Sequence, residues 1–135
     1  MKPLLLSLLI LTLSACTAAP VPHACLAGKP AVQTQLYFGM DKPQGGKISP
    51  KEWQGFVRSE IAPRFPEGFS VIDARGFWLG EETHKMIAEN SHLVIRIHDG
   101  GAAADTAIAT IINDYKHQFG QEAVLRVDAP VCAGF

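Results

Sequence analysis

Between Gly101 and Gly120 the apolar residues Ala104, Ile108, Ile111, Ile112, Tyr115 and Phe119 recur at three- and four-residue steps. That spacing lines one side of an α-helix, so the segment must bury one face against another layer. Asp99-Gly100-Gly101 opens it, and Gly120 stands where a left-handed C-terminal cap belongs. A shorter helix is announced by Ser49-Pro50-Lys51-Glu52, which offers an N-cap, a proline at the first helical position and a capping-box glutamate. Its stripe is Trp53, Phe56, Val57 and Ile61, and Pro63 ends it.

Four other stretches alternate with period two, as strands do. Residues 33–40 set Thr34, Leu36, Phe38 and Met40 against Gln33, Gln35 and Tyr37. Residues 69–79 set Ile72, Ala74, Gly76 and Trp78 against Val71, Asp73, Arg75 and Phe77. In residues 92–98 Leu93, Ile95 and Ile97 are expected to face inward and His92, Val94, Arg96 and His98 outward. In residues 123–131 Leu125, Val127, Ala129 and Val131 alternate with Val124, Arg126 and Asp128. Pro43 with Gly45-Gly46 makes residues 41–47 a loop, and residues 80–91 read as an extended hairpin connection. The order strand, helix, strand, strand, helix, strand predicts an α+β, ferredoxin-like split βαβ fold (βαββαβ). It is a four-stranded antiparallel sheet with both helices on one face and strand four beside strand one.

The N-terminus reads as an address. Met1-Lys2-Pro3 precedes an apolar run over residues 4–13, too short for the roughly 20 residues of a membrane span. Leu13-Ser14-Ala15-Cys16 then matches a bacterial lipobox. The expected organisation is a lipoprotein signal peptide over residues 1–15, then a lipidated Cys16 and Pro-rich tether over 16–31, then one domain over 32–135. Thr17 after the cysteine fits the outer-membrane sorting pattern, with the domain facing the periplasm. Lipidation of Cys16 leaves Cys25 and Cys132 to pair in an oxidising compartment. Removal of residues 1–15 takes away Lys2, leaving 11 basic against 13 acidic side chains. Nucleic acid is therefore not an expected partner, since its binders carry a clear basic excess.

Functional chemistry is sparser. If the helices cover one sheet face, the other is expected to gather Gln35, Tyr37, Asp73, Arg75, Arg96, His98 and Arg126. Three guanidinium groups near a tyrosine and a glutamine can grip a small anion. The same face can instead be a solvated surface with cross-strand ion pairs such as Asp73 with Arg96, or the interface of a homodimer. A small enzyme acting on an anionic substrate, with His98 or Asp73 as general base, is the alternative, and a structural subunit of an envelope complex is a third. Catalytic residues stay unassigned. The histidines lack the tight spacing of a metal site, no lysine follows Asp99-Gly100-Gly101 as a P-loop requires, and no serine sits in a nucleophile elbow. No metal and no cofactor is expected.

Several strings carry a family likeness. They are Leu36-Tyr37-Phe38-Gly39, Arg64-Phe65-Pro66 with Asp73-Ala74-Arg75-Gly76 and Trp78, and Tyr115-Lys116 with Phe119-Gly120-Gln121-Glu122 and Val124-Leu125-Arg126-Val127. Together they resemble a family of small exported bacterial proteins known only as a domain of unknown function, number 3574 of that series. That resemblance implies no activity. The expected protein is an envelope-bound interaction module, its membrane contact a lipid anchor and its partner a second copy or another envelope protein. The short tether, at most about 30 Å from Cys16 to Cys25, places the end of the domain near Cys25, Cys132 and Asp99 toward the membrane.

Overall fold

The structure, a computed structural model, describes residues 25–79 and 84–134; the lipobox, with Cys16, lies outside them. Strand β1 (Lys29–Gly39) is followed by helix α1 (Pro50–Phe56), which widens into a π-helical turn (Val57–Ile61). Then come β2 (Ser70–Leu79), β3 (Met86–His98), helix α2 (Ala102–Phe119) and β4 (Leu125–Ala133). The strands form one antiparallel sheet in the order β2-β3-β1-β4. This is the ferredoxin-like α+β arrangement expected from the sequence.

Local chemistry explains the elements. Ser49 caps α1 by accepting the Glu52 amide, while the Glu52 carboxylate accepts the Ser49 amide, the two halves of a capping box. Hydrogen bonds from Lys42 and then from Ser49 hold the Glu52 carboxyl down to about 2. The helix does not run on as an α-helix to Ile61. Phe56 and Ile61 are both fully buried, and their five-residue separation suits a π turn, in which the Ala62 amide donates to the Val57 carbonyl at 2.9 Å. Gly120 ends α2 with φ 67°, as a left-handed cap. Cys25 and Cys132 are joined in a disulfide with Cα atoms 5.6 Å apart, so the segment entering β1 is stapled to the end of β4.

The core lies between the helices and the centre of the sheet. Phe38 is fully buried, with ring centroids of Trp53 at 5.4 Å, Phe56 at 6.1 Å and Tyr115 at 4.7 Å. Tyr115 donates its hydroxyl to the Gly39 carbonyl at 2.8 Å, and burial pushes its pKa above the ordinary phenol value. Tyr and Trp serve such a core because the polar end finds a partner.

The registers overturn one expectation. Phe38 pairs with His92 and Leu36 with Arg126, and directly opposed residues share a face. Hence His92, Val94, Arg96 and His98 of β3 point to the helix side, as do Arg126 and Asp128 of β4. Asp73 opposes His92 and Arg75 opposes Asn90, so β2 is reversed as well. Leu93, Ile95 and Ile97 face away from the helices. Alternation defines two sets of residues but does not say which set meets the helices. Register decides that, and one step inverts a strand. β3 also begins at Met86 rather than His92, so most of the described connection is paired strand.

Candidate functional site

The open face, away from the helices, is apolar on three of its four strands. β2 contributes Ile72, Ala74 and Trp78, β3 Ile87, Leu93, Ile95 and Ile97, interrupted by Glu89 and Ser91, and β4 Leu125, Val127, Ala129 and Val131. Leu125 is 58% exposed, Ile72 48%, Trp78 44% and Val127 40%. Between them β1 offers the uncharged Gln33, Gln35 and Tyr37, with the Tyr37 hydroxyl donating to Gln35 Oε1 at 2.9 Å. The face spans roughly 19 Å by 34 Å, on the order of 600 Å² from strand spacing and rise.

Of the residues expected to line this face, Gln35 and Tyr37 lie on it; Asp73, Arg75, Arg96, His98 and Arg126 do not. Arg75 sits beyond the helices, its guanidinium 5.3 Å from the Phe77 ring centroid. Arg96 is enclosed, its side chain only 8% exposed. It lies 4.3 Å from the Phe65 ring centroid and donates to the Arg64 carbonyl at 2.9 Å, while Glu67, rather than Asp73, is its 3.4 Å carboxylate neighbour. Its Nε is buried without a hydrogen-bond partner. No anion grip forms, because three guanidinium groups on three strands are separated by the core.

Arg126 and His98 instead belong to a polar relay beside α2. His98 Nε2 lies 2.8 Å from Thr34 Oγ1, Thr34 donates to Asp128, and Arg126 pairs with Asp128 at 2.9 Å and with Asp105 at 2.6 Å. Burial, then the Arg96 charge, lowers the His98 pKa. Burial opposes ionisation of Asp128, but hydrogen bonds from Thr34 and Arg126 outweigh it and lower its pKa. Burial works against the Arg126 charge, and bonds to Asp105 and Asp128 overcome it to raise its pKa. A histidine whose two nitrogens are both engaged by the fold is poorly placed as a general base.

A cleft of about 560 Å³ opens on the helix side between the start of α1, residues 47–48 and the β2–β3 hairpin. Its wall is His92, rather than the His98 that the sequence singles out. The His92 ring stacks on Trp53 with centroids 4.5 Å apart and planes 19° from parallel. Asp73 Oδ1 is 2.8 Å from His92 Nδ1, yet that enclosed nitrogen has no aligned hydrogen bond, so the approach is an off-axis polar contact. The sequence signal for this site was slight: a His and an Asp on adjacent strands become a pair only through the Asp73–His92 register. Among the described residues, no group of three or more His, Cys, Asp or Glu side chains converges to hold a metal ion, and no helix is long and apolar enough to cross a membrane.

Comparison with known proteins gives a fold and a family. The chain is similar to a phage SAM lyase solved in complex with S-methyl-5'-thioadenosine, at 16% identity and a TM-score of 0.54. The likeness covers 82% of this chain and 95% of that one. It is also similar to a phage SAM lyase in the apo state, at 20% identity and a TM-score of 0.49, covering 83% and 96% respectively. At such identities the first likeness shows the shared fold. No curated protein matches the chain. The sequence model of the family described as "Protein of unknown function (DUF3574)" matches residues 33–135, and the chain belongs to that family.

Proposed function

We propose that this protein is a lipid-anchored envelope module that associates with a second copy of itself through the open face of its sheet. The observation that carries the reading is the largely apolar character of that face, in which Leu93, Ile95 and Ile97 flank the β1 glutamines on one side and Val127 and Ala129 flank them on the other, while its charged residues Lys29 and Glu89 stand toward opposite ends of β1. Glu89, which accepts from the Asp41 amide at 3.0 Å, and Lys29 lie outside the stretch from Ile72 through Ile97 to Val127, so the middle of the face carries no charge to select a charged partner. A largely apolar sheet face can be self-complementary under a two-fold axis. Its extent approaches the roughly 800 Å² that each partner gives to a standard interface. A small anion is no longer the favoured ligand of this face, since Arg75, Arg96 and Arg126 lie on the other side.

The anchor completes the reading. Acylation of Cys16 holds the domain at a membrane facing the periplasm, and the Cys25–Cys132 end is the nearer one. The β2–β3 hairpin then points outward, with the open face free along its length.

Sedimentation equilibrium of the detergent-extracted protein tests the association. The wild type is expected as a dimer, and Ile72→Asp and Val127→Asp as folded monomers, because both side chains are already half-exposed in the single chain. A wild type that stays monomeric to about 100 µM refutes the interface at ordinary affinities. Co-purification of a different protein in fixed ratio would favour an envelope complex instead. The mass of the mature chain reports whether Cys16 carries acyl groups.

A further inference from the structure

We propose that the cleft beside α1 binds a small uncharged ring compound bearing adjacent hydroxyl groups, a nucleoside or a sugar, with Asp73 and His92 as its hydrogen-bonding edge. The size fits, since about 560 Å³ falls within the range of small-molecule sites. The floor is apolar: Met40, Ile48 and Trp53 are each buried in the fold and line the cleft. Such a floor takes the flat face of a ring, leaving the ring's polar edge to the rim.

The rim supplies an acceptor pair. Asp73 is 89% exposed and lies beside the cleft with its carboxylate engaged only by the off-axis His92 contact among the described residues. A carboxylate in that state accepts hydrogen bonds from neighbouring hydroxyls, as acidic residues do with ribose. His92 cannot swing away, because Trp53 covers one face of its ring. With Nδ1 held toward Asp73, its Nε2 has no hydrogen-bond partner among the described residues and can take a further hydroxyl or amine. The charges exclude a phosphorylated ligand. Lys47, the cation lining the cleft, is held by Asp41 at 2.6 Å, and Asp73 repels an anion.

Titration calorimetry of the purified full chain with adenosine, 2',3'-dideoxyadenosine and N-acetylglucosamine tests the proposal. Saturable binding of adenosine alone identifies the ligand as a nucleoside, and of N-acetylglucosamine alone as a sugar; either supports the site. Asp73→Ala is expected to weaken that binding about ten-fold or more while leaving the fold intact, because the carboxylate is solvent-facing. His92→Phe keeps a ring on Trp53 but removes both nitrogens, and is expected to weaken binding by a similar factor. Removing the diol in dideoxyadenosine should do the same on the nucleoside arm. The proposal is overturned if neither adenosine nor N-acetylglucosamine binds up to about 10 mM, if adenosine binds and the dideoxy analogue binds equally well, or if Asp73→Ala binds as tightly as the wild type.

Discussion

The Gly100 amide donates to His98 Nδ1 at 3.1 Å, and this bond fixes how the other ring nitrogen acts. With Nδ1 accepting, the neutral ring carries its proton on Nε2 and donates it to Thr34 Oγ1; this tautomer is assigned from the hydrogen-bond network. A second proton on Nδ1 would set two donors against each other at the entrance to α2. The His98 pKa is lowered by burial and by Arg96. The unfolded chain therefore takes up the proton first as pH falls below about 6.5. Stability is expected to be full above that value and to decline on acidification until the folded ring also protonates. Thermal melts between pH 7 and 5 check this, and His98→Gln should flatten the slope in that window. Loss of the depressed carboxyls Glu52, Glu60 and Asp128 falls separately, below their ordinary range.

Arg96→Ala is expected to destabilise the fold without touching the open face. It removes the stack on Phe65 and the bond to the Arg64 carbonyl, leaving that carbonyl without its guanidinium donor. The loss should be about 2–4 kcal/mol, combining lost packing with a lost charged hydrogen bond. Urea unfolding measures it, and the association state of the folded fraction should match the wild type.

Reduction of the Cys25–Cys132 disulfide, or Cys132→Ser, opens a loop spanning 107 residues. A loop of that size is expected to contribute about 4–5 kcal/mol in the chain-entropy model. Denaturant midpoints with and without reductant give the value directly.

Gly28→Ala should weaken the same end of the domain. Gly28 has φ +77°, and a Cβ there would run into the Ala133 carbonyl, on the backbone of β4. Left-handed strain alone costs about 1–3 kcal/mol, and backbone cannot rotate aside as a side chain can. Hydrogen exchange of the β1–β4 amides near Lys29 and Ala133 should accelerate more than that of the β1–β3 amides.

Much of the scaffold was legible in the chain. The α2 stripe from Ala104 to Phe119 and its Gly120 cap, the Ser49–Glu52 capping box and the Cys25–Cys132 pair each rest on local spacing or on arithmetic, and all are present. The faces of β2, β3 and β4 were not legible. Leu93, Ile95 and Ile97 look like a core set because they are the more apolar half of their strand, yet the helices meet His92, Val94, Arg96 and His98. Those polar groups are tolerated inside because Trp53, Arg64 and Thr34 meet them.

By itself, the sequence determined the order of elements, the caps of both helices, the staple and the family. Helical and strand periodicity, caps and cysteine number act over a few residues and need no knowledge of what lies opposite. Only the tertiary structure decided that the open face is apolar, that His98 is locked in a relay, and that His92 and Asp73 meet at a cleft. Each of these depends on which residue of one strand opposes which residue of the next. That register follows from β1 packing Phe38 against both helices, a contact among segments far apart in the chain.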